Sequence, residues 1–436
     1  MELRRKLALL DGSGLAATSR PATPSSSARP STSPAPEVAE RIDRLRRGLA
    51  AIGPQRAAPA GLPSRPVSPS FPAERRETAF GPLHVRERWF DPTHRHGRAS
   101  IGAALEAEPE VVAALAGDPA LVQVDLRSML LLDTETTGLS GGTGTVPFLV
   151  GVAGFEDGRL CVSQYLLRQP GEERPILGAL AERWSRASCI VTYNGKSFDW
   201  PLLRARYVMN RLRAPEPRPH LDLLHCARRV MRHHSGGARL VQLEEAVLGH
   251  VRTGDIPGEQ IPDRYFRYLR SGDAGLLRAV LDHNLDDLLL LAALLGVFAR
   301  QFTSVAAPDP RIHLGYASVA ERAGDTRRAL QFAGAATASG DPAIRAAALA
   351  LAARVQRRRK EERAAAELLE LAALDARGEM LARVHLQLAK LYEHRLGDPQ
   401  RALSHAAASH PAETAEAQRR RVDRLQRRAA YSFQRR

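Results

Sequence analysis

Asp133 and Glu135 stand one residue apart at the end of an apolar run, Leu130-Leu131-Leu132-Asp133-Thr134-Glu135-Thr136-Thr137-Gly138. A buried, unpaired carboxylate is costly and either neutralises or finds a cation. Alternate residues of a strand share a face. A strand over this run therefore projects both acids together, past the apolar core, where they can share a divalent metal.

Three further segments offer partners. Tyr193-Asn194-Gly195-Lys196-Ser197-Phe198-Asp199 places an acid at a predicted helix start, where an acid also serves as a simple cap. Asp282-His283-Asn284-Leu285-Asp286-Asp287 opens a strongly apolar helix, in which His283 and Asp287, four apart, share a face. Pro219-His220-Leu221-Asp222 reads as a strand edge or turn, with a structural hydrogen bond the expected role of Asp222. Glu244 and Glu245 fall on a predicted helix and read as solvated. His84, His94 and His96 read as irregular surface histidines in preference to a metal cluster. The Gly-rich stretch 138–145 lacks Gly-x-x-x-x-Gly-Lys-Ser/Thr and is no P-loop.

These residues need a scaffold. Strand signals cover Met129–Asp133, Phe148–Phe155, Leu160–Leu167 and Cys189–Tyr193; helix signals cover 173–186, 200–213, 238–250 and 275–300. Antiparallel strands followed by alternating helices and strands predict an α/β domain with a mixed sheet. Alternating apolar residues around 77–100 predict a short hairpin that, with a connecting helix, makes a 75–126 segment packed on the next domain.

After 308 the chain is Ala/Leu-rich without strand signals. Gly324-Asp325-Thr326-Arg327-Arg328-Ala329-Leu330 and Gly397-Asp398-Pro399-Gln400-Arg401-Ala402-Leu403 correspond, with a degenerate copy between them around Ala365–Leu369. A period near 36 resembles tetratricopeptide helix pairs over 308–412; an unrelated helical bundle is the competing reading. Residues 413–436 form a basic tail, arginine-rich and frayed from Gln418. Residues 1–74 read as a disordered Pro/Ser-rich segment, since 1–72 hold 11 of the 29 prolines, with one isolated helix expected over 37–51.

The order Asp-x-Glu, Asn-x-x-x-Phe-Asp and an aromatic ring four residues before a last Asp resembles the DEDD superfamily of 3′–5′ exonucleases. Within it, the Gly-rich segment and Asn-Gly-Lys-Ser-Phe-Asp look closest to the bacterial YprB-type ribonuclease H-like domain. The resemblance covers 127–302 and implies a ribonuclease H-like mixed sheet flanked by helices. It implies Asp133, Glu135, Asp199 and Asp287 as catalytic, metal-binding acids around two Mg2+ or Mn2+ ions, one activating water and one stabilising the leaving oxygen. It places His283 as the residue that orients or deprotonates water. The four-residue spacing is that of a tyrosine subclass, so Asp286 competes with Asp287 as fourth ligand. Thr134, Asn194 and Lys196 are placed against substrate; Asn194 and Lys196 serve equally as loop-shaping residues.

The balance of 63 basic to 48 acidic residues gives +15 and fits a phosphate-bearing partner. The implied activity is a nuclease on nucleic acid, with Arg204, Arg206 and Arg211 as phosphate contacts. The helical region is a candidate docking surface for protein or nucleic acid. A non-catalytic binding module and a helical scaffold are the competing classes. Cys161, Cys189 and Cys226 lack metal-ligand spacing and fit a reduced, cytoplasmic setting. Neither a secretory signal nor a run long enough to cross a membrane is expected.

Overall fold

The computed structural model describes residues 71–138, 144–234 and 237–433, all within the compact unit Val67–Arg436. The Pro/Ser-rich segment to residue 70, the helix expected over 37–51, residues 139–143 of the Gly-rich connection and the end of the tail lie outside the described residues.

The described residues open with edge strand β1 (Glu74–Thr78) and its neighbour β2 (Gly81–Phe90); β3 (Arg95–His96) and β4 (Ala99–Ser100) make a separate two-stranded ribbon. After helix α1 (Pro109–Ala116) come β5 (Leu130–Thr136), β6 (Pro147–Glu156) and β7 (Arg159–Leu166). Helix α2 (Glu173–Arg186), β8 (Ile190–Thr192), α3 (Asp199–Met209), β9 (His220–Asp222) and α4 (Leu223–Val230) follow. The main sheet has seven strands in the order β1-β2-β7-β6-β5-β8-β9. Strands β5, β8 and β9 run parallel; the other neighbours are antiparallel. This is a mixed sheet flanked by helices, the fold class expected from the sequence.

The sequence-predicted hairpin is present, but β2 pairs with β7 from His84↔Leu166 to Phe90↔Leu160 and so extends the sheet instead of lying on it. His84 and His96 are buried, not surface residues; His94 is exposed. Period-two alternation in β5 sends Leu130 and Leu132 into one apolar core with Ile190, Leu203 and Trp184. Leu131 faces the other core with Val191 and Leu221.

Past β9, a short helix α5 (Leu240–Leu243) widens into a π turn over Glu244–Leu248, where one longer helix was expected. Helix α6 (Ile261–Ser271), which the sequence reading omits, buries Ile261, Tyr265 and Tyr268. Helix α7 (Arg278–Ser304) then runs 27 residues across the sheet, and its apolar second half fills the core.

The C-terminal region contains α8 (Pro310–Ala323), α9 (Thr326–Ala336), α10 (Pro342–Arg358), α11 (Glu362–Asp375), α12 (Gly378–Leu391) and α13 (Pro399–Ala407). Left-handed residues Gly324, Lys360 and Gly397, in steps of 36 and 37, precede α9, α11 and α13. Asp325 and Asp398 accept from the backbone N–H three residues on; Glu361 in the middle copy makes no such cap. The middle copy has Glu, a poorer N-cap than Asp, at that position, in keeping with its degenerate sequence. The tail is not frayed over its described part: α14 (Ala415–Phe433) buries Leu425, and its Arg421 and Arg424 donate to buried Glu393.

Candidate functional site

Strand β5 directs Asp133 and Glu135 to the same face as Leu131, toward α7. Asp133 on β5 lies opposite Gly151 on β6, which lies opposite Gln164 on β7. Above this row sits Asn284 of α7. Its Nδ2 donates to Asp133 Oδ2 at 2.7 Å, and its Oδ1 accepts from Gln164 Nε2 at 2.9 Å. A Cβ on Gly151 would lie 2.1 Å from Asn284 Oδ1, so the missing side chain is what admits Asn284.

One turn along α7, His283 and Asp287 face Glu135. His283 Nε2 is 3.9 Å from Glu135 Oε1 and 3.6 Å from Asp287 Oδ2. The other ring nitrogen, Nδ1, donates to Asp255 Oδ1 at 2.8 Å. That bond places the proton on Nδ1 in the neutral ring and leaves Nε2 an acceptor facing the acids. Asp287, not Asp286, turns toward Glu135. Its Oδ1 accepts from Arg252 Nη2 at 2.5 Å. Arg252 also donates to Glu244 Oε2 at 2.7 Å and to Asp255 Oδ2 at 3.2 Å.

Asp199, the first residue of α3, is buried and accepts from Thr134 Oγ1 at 2.5 Å. Thr134 therefore orients an acid instead of facing outward to substrate. Asp222 takes the structural role expected of it. Its carboxylate accepts from the backbone N–H of Asn194 (2.8 Å), Lys196 (3.1 Å) and Leu224 (3.1 Å). Asn194 adopts a left-handed φ of 66° in this clamped loop. Asn194 and Lys196 are exposed, and Lys196 Nζ lies 3.8 Å from Asp118.

Burial, with Asp287 and Asp199 nearby, pushes the Asp133 carboxyl well above its ordinary range. Burial and the charges of Asp133, Asp287 and Asp199 do the same to Glu135. Asp199 is pushed to about 6 by burial, which outweighs the Thr134 hydrogen bond. Asp255 moves the other way: burial would raise it, but the His283 hydrogen bond and charge hold it low. Four acids within electrostatic reach, three of them resisting ionisation, form a site short of positive charge.

One ligand atom each from Glu135, His283 and Asp287 lie within 4.8 Å of one another; Asp133 and Asp199 flank that set without joining it. Clustered carboxyl oxygens that shed protons only against opposing charge fit a hard divalent cation. Among the described residues, Glu135 and Asp287 supply the carboxylate oxygens of that converging set.

Two further expectations are corrected. Glu244 is not solvated: it is 1% exposed and pairs with Arg252 and His96, while Glu245 is exposed. Arg206 is no phosphate contact, because a two-pronged ion pair with Glu173 occupies its guanidinium; Arg204 and Arg211 are exposed. Arg252, Asp255, Asn284 and Gln164 were missed. Only Asn284, inside a segment already singled out, carried a usable signal: an amide amid acids on a buried helix face.

Residues 130–298 match the family model described as RNase_H superfamily. The chain is 36% identical over 218 residues to an uncharacterized protein, YprB, of Bacillus subtilis, a match covering 48% of this chain and 51% of that protein. It thus spans about half the length of that curated relative. Among solved structures, it is similar to a family B DNA polymerase from the archaeon Pyrobaculum calidifontis, at 17% identity with a TM-score of 0.33. That match covers 53% of this chain and 29% of the polymerase.

Proposed function

We propose that the protein is a metal-dependent phosphodiesterase of nucleic acid, a 3′–5′ exonuclease acting on single-stranded ends through two Mg2+ or Mn2+ ions. The observation that carries this reading is the convergence of Asp133, Glu135, Asp199 and Asp287, from three separate elements, within electrostatic range of one another. The ribonuclease H superfamily match over 130–298 supports it.

Bound Mg2+ or Mn2+ supplies Lewis acidity and offsets the charge of the acids. The chain's own residues do the rest. His283 Nε2 takes the proton of attacking water, with Asp255 holding the ring. Asn284 and Thr134 orient Asp133 and Asp199. Arg204, Arg211, Asn194 and Lys196 lie exposed to meet substrate phosphates, which makes binding salt-sensitive. The free, buried thiols Cys161, Cys189 and Cys226 accord with a cytoplasmic setting. No described helix is long and apolar enough to cross a membrane.

The test is incubation with end-labelled single- and double-stranded DNA and RNA, with manganese or with chelator. Stepwise 3′ shortening that stops with chelator and in Asp133→Ala and Asp199→Ala is the expected result; cleavage retained in both variants refutes it. One observation favours a second reading, a non-catalytic nucleic-acid-binding module: Arg252 already neutralises Asp287. Salt-sensitive binding without cutting of any substrate would support that module.

A further inference from the structure

His96, Glu244 and His250 lie apart from the acids above, yet bring one ligand atom each to within 4.8 Å of one another. His96 Nε2 is 2.7 Å from Glu244 Oε1, and His250 Nε2 is 3.7 Å from that same oxygen. The two imidazole rings lie 4.6 Å apart, centre to centre. A tetrahedral ion with bonds of about 2.0–2.1 Å sets its ligand atoms roughly 3.3 Å apart. The two separations to Glu244 fall on either side of that value. A lone buried His–Glu pair is an ordinary structural ion pair; a second imidazole converging on its oxygen is not.

The surroundings hold these three side chains in place. Glu244 Oε2 accepts from Arg252 Nε at 2.7 Å, which fixes the carboxylate and leaves Oε1 toward both rings. The ribbon turn and the π turn are clamped together. Arg98 N–H donates to Leu248 O at 2.8 Å, and Gly97, at φ 59°, has no room for a Cβ because Leu248 O would lie 2.4 Å away. His96 and Glu244 are buried, whereas His250 is 37% exposed, leaving an outward side for water as a further ligand.

We propose that His96, Glu244 and His250 form a second metal site, for a zinc-class cation, that pins the β3–β4 ribbon to the turn after α5. Two imidazoles with one carboxylate select zinc over magnesium, which demands oxygen ligands. Through Glu244 the site also sets Arg252, and hence its contact with Asp287. It stands whether or not the phosphodiesterase reading holds.

The test uses the full chain stripped of metal, titrated with zinc against a chromophoric chelator and, separately, loaded with cobalt. Three variants are compared: His250→Ala, His96→Ala, and the doubly substituted Glu135→Gln, Asp287→Asn. The double variant, with the acid site disabled, should bind one zinc and give strong visible cobalt absorption, and wild type should show that same zinc besides any held by the acids. His250→Ala should bind it more weakly by over ~100-fold, beyond the loss typical of merely supporting groups. Because His250 is partly exposed, that variant decides the matter even if His96→Ala fails to fold. Equal zinc affinity in wild type and His250→Ala, or no zinc binding by wild type, overturns the site. Zinc lost only in the double variant assigns it to the acids and also overturns it.

Discussion

At the scale of single residues, the site turns on how His283 and the acids are held. Asp255 fixes the ring through Nδ1, so removing the ring and removing its anchor should have unequal effects. His283→Ala is expected to lower the rate of metal-dependent cleavage by about 10²–10⁴, the span of general-base loss. Asp255→Asn should lower it by about 10–100-fold, as for a supporting partner, and shift the pH profile. Equal effects on single-turnover rates would show that Asp255 does more than position. The acids give a second prediction. Asp133, Glu135 and Asp199 all have folded-state carboxyls raised above their unfolded values, Asp199 to about 6. A raised folded value contributes stability below the unfolded pKa that is lost as pH rises through the folded one. Metal-free protein should therefore melt at a lower temperature as pH climbs from about 4 to above about 6, and added Mn2+ should remove most of that decline. Scanning calorimetry at several pH values checks it; a metal-free melting point that rises over that interval would contradict it.

At the scale of elements, the row Asp133–Gly151–Gln164 across three strands is the feature on which the site's geometry rests. Gly151→Ala puts a methyl where Asn284 Oδ1 now sits. Either Asn284 leaves, freeing Asp133 and stranding Gln164, or α7 shifts away from the sheet. Both routes cost about 1–3 kcal/mol, as overpacking does, and cleavage should fall with stability. An unchanged melting point with full activity would mean that Asn284 is not needed. The acids themselves were legible in sequence because strand alternation and helix spacing are short-range rules. Asp133 with Glu135 and His283 with Asp287 each share a face by counting alone. Arg252, Asp255 and Gln164 were not legible, because they reach the site from a loop and from a neighbouring strand whose register no local pattern encodes. Glu244 misled for the same reason: helical spacing marks a polar residue as solvated, and only the tertiary partners His96 and Arg252 reverse that. Helix α6 escaped notice because its Tyr265 and Tyr268 are buried by packing that its polar composition does not announce.

At the scale of the whole molecule, the boundary expected near 302–308 does not coincide with a gap in the core. Phe298 and Phe302 of α7 belong to the same apolar cluster as Tyr316, Phe332, Leu351 and Val355, which come from α8, α9 and α10. Phe302 stacks on Phe332 with ring centres 5.7 Å apart, and Tyr316 donates to Gln301 Oε1 at 2.9 Å. A separate cluster then joins α10 to α14, closed by Arg421 and Arg424 on buried Glu393. The helical region is thus two things in series: a buttress that completes the core of the sheet domain, and an outer part with its own core. A chain ending at residue 307 should not fold stably. It bares Phe298 and Phe302, each worth about 1.5–3 kcal/mol when buried, against a total stability of ~5–15 kcal/mol for a whole domain. Replacing Glu393 by Ala should instead loosen only the outer part, costing about 1–3 kcal/mol through the lost buried hydrogen bonds. Hydrogen exchange separates the two cases. In Glu393→Ala, faster exchange should be confined to α12–α14, with β5 and α7 protected as in wild type and cleavage unaltered. Exchange that quickens equally in β5 would show one cooperative unit from the sheet to the last helix, and the division into buttress and outer part would be wrong.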